Sequence, residues 1–395
     1  MVPGCGTRHY QTVPVKRVAR SIRGAMAIRL GRAGDGLHQT VDAWGLVLAG
    51  GDGMRLRSLT VGSEGVPVPK QFCSFRHGPP LLHDALNRAR SLIARERLCV
   101  VVADQHRPWW EPLLRTLPSS NVIVQPANRG TGIGLLLPLL YICERAPDAK
   151  ILVLPSDHIV ADESALMCAV RKAFEALASQ PRNVVLLGIE PSECDPELGY
   201  IVPSEHHGWP KKVVGFVEKP SMIDAKALIE RGGLWNSFIV AAMLRPLLEL
   251  FERRIPSILT QMRVAMTSGN GPSMIELYRT LPTVDFSRDI IQGQESRLSV
   301  LKVSACGWTD LGTPDRVAKA LSRKVVRVGP SRVFCGAAKV DLSTQHALVQ
   351  RLKAGERKAH AGAGTQVSSR VTHGRRRCRI HSGDHRGPQP LGRAS

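Results

Sequence analysis

Six short runs of aliphatic residues constrain what this chain can fold into. They fall at 45–49, 98–103 ("LCVVVA"), 122–125 ("VIVQ"), 151–154 ("ILVL"), 184–189 ("VVLLGI") and 298–303 ("LSVLKV"). Each is continuous rather than alternating, which is the pattern of a strand buried on both faces. Amphipathic helical patterns lie between several of them. The clearest is 163–179, "ESALMCAVRKAFEALAS", where Leu166, Val170, Ala173, Phe174 and Leu177 share one face. A second begins at 81 with "LLHDALNRARSLI". Together they predict an α/β fold, a Rossmann-like, mostly parallel sheet with helices on both faces. Ligands of such sheets bind beyond the carboxyl ends of the strands. Polar punctuation follows the strands here: "AGGDG" after the first, "QPANRGTG" after the third and "PSDH" after the fourth.

The formal net charge of +21 suggests nucleic acid until the charge is located. Residues 1–40 carry seven Lys/Arg and one acid, and residues 321–395 carry sixteen and three. The centre is left with 31 bases and 29 acids, an ordinary near-neutral domain. The expected organisation is a disordered basic extension over 1–40, a folded domain over 41–325 and a basic low-complexity tail over 326–395. Nucleic acid is therefore not an expected partner. Nine scattered cysteines, never in a CxxC pair, read as small core residues of a reduced, cytoplasmic protein. No apolar run is long enough to span a bilayer, and the amino terminus has no continuous apolar core of a secretory signal.

The stretch "LVLAGGDGMRLRSLTVGSEGVPVPKQF", 46–72, leaves the first strand through Gly50, Gly51 and Gly53 and then supplies Arg55 and Lys70. The dinucleotide fingerprint fails because its third glycine falls on Leu56, and a Walker loop fails for want of Lys-Ser after that position. A glycine turn that brings backbone N–H groups and two cations to phosphate remains, beside the alternative of a plain structural turn. Asp157 stands just past a buried strand, suited either to a hard divalent cation or to capping a following helix. Asp310, in "GWTDLGTP", has a matching context, and Thr313 and Pro314 after it read as N-cap and first residue of a helix. In "FVEKP" the extended chain is expected to point Glu218 and Lys219 to opposite faces, toward a sugar hydroxyl and a phosphate, or simply to solvent. Asn236, in "LWNSFI", needs a hydrogen-bond partner, either a polyhydroxylated ligand or its own backbone. The "QPANRGTG" loop suits reading a base edge or mere connection.

In this order the motifs GGxGxRL…PKQF, NRGT, PSDH, FVEKP, LWNS and DLGTP resemble the sugar-1-phosphate nucleotidyltransferases, and among them most the mannose-1-phosphate guanylyltransferases. The resemblance runs from 44 to about 322. It implies that Gly50, Gly51 and Gly53 cradle a nucleoside triphosphate whose phosphates Arg55 and Lys70 hold. Gln125, Asn128, Arg129, Gly130 and Thr131 would shape the nucleotide pocket. Glu218, Lys219 and Asn236 would contact the sugar 1-phosphate, and Asp157 and Asp310 would bind Mg2+. The implied reaction is GTP plus α-D-mannose 1-phosphate giving GDP-mannose and diphosphate, with no protein nucleophile. Glucose 1-phosphate with UTP or dTTP, or a catalytically inactive regulatory homologue, are the alternatives. The resemblance further implies a single-function short form without a carboxyl-terminal isomerase or β-helical domain, and it leaves room for a homo-oligomer.

Overall fold

The computed structural model describes residues 42–322, apart from 62–64, 76–77 and 268–272. The basic extension expected over 1–40 and the tail expected over 326–395 lie outside the described residues.

The strands are β1 (Ala43–Ala49), β2 (Leu98–Ala103), β3 (Val122–Gln125), β4 (Lys150–Pro155), β5 (His158–Ile159), β6 (Val184–Ile189), β7 (Tyr200–Pro203), β8 (Lys211–Val217), β9 (Leu234–Met243), β10 (Leu298–Val303) and β11 (Thr309–Asp310). The helices are α1 (Leu81–Arg90), α2 (Arg107–Leu114), α3 (Gly130–Cys143), α4 (Glu163–Ser179), α5 (Met222–Glu230), α6 (Leu244–Arg254), α7 (Pro256–Thr267), α8 (Met274–Thr280) and α9 (Pro314–Ser322). All six aliphatic runs became strands of one nine-stranded sheet, in the order β3-β2-β1-β4-β9-β6-β10-β8-β7. β5 and β11 form a separate two-stranded ribbon.

Within each buried strand the period of two divides the apolar side chains between two cores. Val47 and Ala49 of β1, and Leu152 and Leu154 of β4, pack with α1, α2, α4 and α5 residues such as Leu82, Trp110, Val170 and Leu228. Trp44, Leu46, Ile151 and Val153 face the other way, among Ile133 and Leu136 of α3, Leu247 and Phe251 of α6, and Tyr278 of α8. Helix α3 is apolar nearly all round, and ten of its residues are buried. This is why a continuous run, rather than an alternating one, marks these strands.

The sheet is mixed. β3, β2, β1 and β4 run parallel, as do β6 and β10. β9 inserts between β4 and β6 antiparallel to both. β9 escapes the aliphatic pattern because its first half, "LWNSF", carries two polar residues, Asn236 toward a cleft and Ser237 buried against the Leu187 carbonyl of β6. The chain proceeds from β1 outward through β2 to β3, then returns to place β4 on the other side of β1. That reversal opens a crevice at the carboxyl ends of β1 and β4, where sheets of this kind bind ligands.

The end of α3 that enters this crevice is tied to the segment before residue 286. Gly132 N–H donates to the Val284 carbonyl at 2.8 Å, Val284 N–H to the Arg129 carbonyl at 3.0 Å, and Phe286 N–H to Thr131 Oγ1 at 2.8 Å. Gly130 has φ +83°, and a Cβ there would lie 2.3 Å from the Val284 carbonyl oxygen. Gly130→Ala is therefore expected to cost at least about 1–2 kcal/mol from the left-handed backbone alone. A melting temperature lower by several degrees in a thermal denaturation is the expected outcome; an unchanged one would contradict this reading of the loop.

Candidate active site

The glycine loop is positioned by what lies beneath it. Gly53 (φ 62°) turns the chain into a short 3-10 segment, Met54–Leu59. Leu56 of that segment is buried with Cys73, Phe75, Leu81, Ile159, Leu311 and Val317 in a small third core. Arg55, one residue earlier, is thereby left exposed at the rim. Gln71 locks the loop from below, its Nε2 donating to the carbonyls of Ala49 at 3.0 Å and Gly51 at 2.8 Å. Asp52 turns the other way and accepts from Asn128 Nδ2 at 2.8 Å and Gln105 Nε2 at 3.1 Å, joining the glycine loop to the "NRGT" loop.

Gly50, Gly51, Arg55, Lys70, Gln125, Asn128, Gly130, Thr131, Asp157, Glu218, Lys219, Asn236 and Asp310 line one cleft of about 380 Å³. Two residues singled out from the sequence are not among its lining residues. Gly53 packs under the loop, where a Cβ would sit 3.1 Å from Lys70 N. Arg129 turns away, its guanidinium donating to the carbonyls of Tyr278 at 2.7 Å and Arg279 at 3.1 Å, so it ties α3 to α8.

Lys70 sits at the centre. Its Nζ donates to the Leu311 carbonyl at 3.0 Å and pairs with Asp157 Oδ2 at 2.7 Å. Burial works to raise the Asp157 carboxyl, but Lys70 overrides it and the group falls to about 2. Asp157 is thus an anion at any working pH, and it caps no helix: Asp162 caps α4, accepting from Ala165 N–H. Beside it His158 is buried, and burial holds it down to about 4, a neutral imidazole whose Nδ1 accepts from Trp308 Nε1 at 3.2 Å. Register in the small ribbon pairs His158 with Asp310, which brings Asp310 across from the Asp157 segment. Thr313 caps the helix after it, Oγ1 accepting from Arg316 N–H at 3.3 Å.

At the other end of the cleft Glu218 and Lys219 do not diverge as an extended chain would require. β8 ends at Val217, and Lys219 takes φ 51°. Both side chains then enter the same cleft, 3.8 Å apart from Lys219 Nζ to Glu218 Oε1. Gly199 leaves room for the carboxylate, since a Cβ there would lie 2.4 Å from Glu218 Oε2. Burial, with the Asp285 carboxylate nearby, pushes Glu218 up to about 7. Asn236 is satisfied within the protein, Nδ2 donating to Ser287 Oγ at 3.2 Å and Oδ1 accepting from Phe238 N–H at 3.0 Å. Phe238 has φ 57°, at an irregularity in the β6–β9 pairing. Two non-glycine residues in left-handed backbone at one cleft are the strain that functional sites store.

Sequence reasoning missed Gln71, His158, Glu197, Asp285, Ser287 and Trp308. Gln71 and His158 were legible as neighbours of Lys70 and Asp157. Asp285 and Ser287 enter through a π-helical turn, Phe286–Ile291, that no local pattern announces. Gln125 lines the cleft beside the "NRGT" loop, and its Oε1 is buried without a hydrogen-bond partner. Among the described residues no group of three or more His, Cys, Asp or Glu is arranged to hold a metal ion. Asp157 and Asp310 offer two carboxylates, a donor set that suits a hard divalent cation when further oxygen ligands complete its shell.

A doubly wound sheet with a glycine loop, two cations and two carboxylates at its switch point defines a phosphoryl-handling enzyme site. The chain belongs to the nucleotidyl transferase family, whose model it matches over residues 44–324. It is 29% identical over 282 residues to the mannose-1-phosphate guanylyltransferase of Escherichia coli, an alignment covering 68% of this chain and 57% of that one. It is 27% identical over 289 residues to the enzyme of that name from Sinorhizobium fredii, covering 69% and 54%. The chain thus spans a little over half the length of these curated relatives. A solved structure described as a mannose-1-phosphate geranyltransferase from Thermus thermophilus superposes with TM-score 0.62 at 28% identity, covering 72% of this chain and 80% of that one. A mannose-6-phosphate isomerase from Helicobacter pylori, at TM-score 0.53 and 19% identity, shares the fold, covering 68% of this chain and 100% of that one. No helix among the described residues is long and apolar enough to cross a membrane.

Arg55 donates to Glu197 Oε2 at 2.8 Å, an exposed pair over the cleft. If Arg55 serves a triphosphate, as the resemblance implies, the ligand must take it from Glu197, and Glu197→Gln is then expected to tighten nucleoside triphosphate binding, by up to about fivefold given what exposed pairs contribute. Equilibrium titration checks it, and weaker binding in the variant would contradict it.

Proposed function

We propose that this chain transfers a guanylyl group from GTP to α-D-mannose 1-phosphate, giving GDP-mannose and diphosphate. The observation that carries the reading is the convergence of Arg55, Lys70, Asp157 and Asp310 on one glycine-floored cleft. The names of the relatives support guanine and mannose.

In the reaction a phosphate oxygen of the sugar phosphate attacks the α-phosphorus of the triphosphate. The new P–O bond forms as the bond to the β-phosphate breaks, and diphosphate leaves with the electron pair. The attacking oxygen is already ionised near neutral pH, so no protein base or nucleophile is required. Lys70 and Arg55 neutralise charge on the triphosphate, Gly50 and Gly51 admit it close to the backbone, and Lys219 holds the sugar's phosphate. Asp157 and Asp310 would hold Mg2+, which when bound supplies Lewis-acid charge neutralisation. Glu218 and Asn236 face the sugar hydroxyls. The free cysteines Cys73, Cys99, Cys143, Cys168, Cys194 and Cys306 fit a reducing, cytoplasmic setting.

The test is diphosphate release by the purified protein from a panel of GTP, ATP, CTP, UTP and dTTP with mannose 1-phosphate or glucose 1-phosphate. GTP with mannose 1-phosphate is expected to be the preferred pair. Release only from UTP or dTTP with glucose 1-phosphate would overturn the choice of base and sugar. No release from any pair would overturn the enzymatic reading. Asp157→Asn and Asp310→Asn are each expected to abolish metal-dependent release, and wild-type rates in either would remove that residue from the metal set.

Glu218 is protonated below about 7 and accepts hydrogen bonds best when ionised. Catalytic efficiency toward the sugar phosphate is therefore expected to rise as pH passes through about 7. Glu218→Gln should erase that inflection and leave only the lower one from the substrate's own phosphate, near ~6. An unchanged pH profile in the variant would contradict the assignment.

A further inference from the structure

Arg316, on α9, is a buried cation outside every motif discussed so far, with 8% of its surface exposed. Its Nε and Nη2 donate to one oxygen, Asp195 Oδ2, at 3.0 and 2.6 Å. Its Nη1 donates to Asp310 Oδ1. One planar guanidinium therefore bridges two carboxylates that come from distant parts of the chain. Asp195 belongs to the loop between β6 and β7, and its own N–H donates to Tyr200 Oη at 3.0 Å. Asp310 is the strand-end carboxylate already placed in the cleft. The pocket wall is built around this contact: a Cβ on Gly312 would lie 2.7 Å from Asp310 Oδ2 and 2.8 Å from Arg316 Nη1. Any residue but glycine at 312 would displace the pair.

We propose that Arg316 is a positioning residue that fixes Asp310 through Oδ1 and so commits Oδ2 to a divalent cation in the cleft. This rests on the nucleotidyl transfer reading of the same site. The charge arrangement gives Asp195 its part. A lone guanidinium beside Asp310 would cancel the carboxylate's charge and weaken its hold on a cation. With Asp195 on its other edge, Arg316 is neutralised and the three side chains keep one net negative charge. The guanidinium supplies geometry, and Asp195 keeps that geometry from cancelling the ligand. Lysine, with a compact charge and no fork, can reproduce only part of this.

The two effects of removing Arg316 have opposite signs, which makes the inference testable. On charge alone, Arg316→Met leaves two uncompensated carboxylates and tightens cation binding. If Arg316 positions Asp310, cation binding weakens despite the added negative charge. The experiment is Mn2+ binding to the GTP complex of the full chain, followed by electron paramagnetic resonance. GTP binding without metal is titrated in parallel, and circular dichroism reports folding. Arg316→Met is expected to weaken Mn2+ binding about tenfold or more, with metal-free GTP affinity held within about twofold. Arg316→Lys should recover part of the loss. Asp195→Asn, which keeps the shape and removes the compensating charge, should weaken Mn2+ as well and serves as the test if Arg316→Met does not fold. Unchanged or tighter Mn2+ binding in the folded Arg316→Met, or wild-type Mn2+ binding in Asp195→Asn, would overturn the inference. A wild-type protein that binds neither GTP nor Mn2+ with GTP would instead overturn the functional reading beneath it.

Discussion

A carboxylate at the end of a buried strand is tolerable only beside a cation, and a half-buried lysine only beside an anion. The Lys70–Asp157 pair meets both requirements at once, and the site is assembled around it. Asp157 reports the end of β4, Lys70 the return of the long loop after β1, and the Leu311 carbonyl, on the same Nζ, the segment after Asp310. Three pieces of chain far apart in sequence are thereby brought to one point at the switch of strand order. Gln71, next to Lys70, extends the tie to the glycine loop itself. Fixing Lys70 fixes the floor and the two walls of this end of the cleft together.

The same economy holds elsewhere in the cleft. Each of the charged groups proposed for phosphate or metal has a partner within the protein: Lys70 has Asp157, Arg55 has Glu197, Asp310 has Arg316, and Lys219 has Glu218 at longer range. Such pairs keep the charges ordered without burying them unpaired. On the proposed reading, binding takes Arg55 from Glu197 but leaves Asp310 on Arg316, so the ligand meets charges that are already ordered, which lowers the reorganisation left for the reaction step.

Much of this was legible in the sequence, and the limits are physical. The aliphatic runs announced six strands because burial on both faces demands continuous apolarity. Helix α4 could be bounded at Glu163 and Ser179 because its apolar face is uninterrupted. β9 was invisible as a strand because Asn236 and Ser237 sit where a core strand has aliphatics, though Asn236 flagged the cleft while Ser237 is buried on the Leu187 carbonyl. The glycines and Asp157 could be placed because each follows closely on a recognisable run, whereas Asp310 lies seven residues beyond the run at 298–303 and was flagged by its "GWTDLGTP" context. Arg129 shows the reverse: it stands inside a motif yet bonds to the carbonyls of Tyr278 and Arg279 in α8, and no spacing along the chain distinguishes those uses. The π-helical turn at Phe286–Ile291, held by Thr131, and the Arg316 bridge to Asp195 join segments far apart in the chain, and the left-handed turns at Lys219 and Phe238 fall on residue types that do not announce them. Local pattern carries no trace of them.

The central claim is that positioning and charge neutralisation suffice, with the sugar phosphate attacking phosphorus directly and no side chain becoming covalently attached. The stereochemical course at the α-phosphorus tests it most directly. With a GTP analogue made chiral there by a single sulfur, one in-line displacement predicts inversion of configuration in the GDP-mannose analogue. Retention would require two displacements through a covalent nucleotidyl-enzyme and would contradict the account.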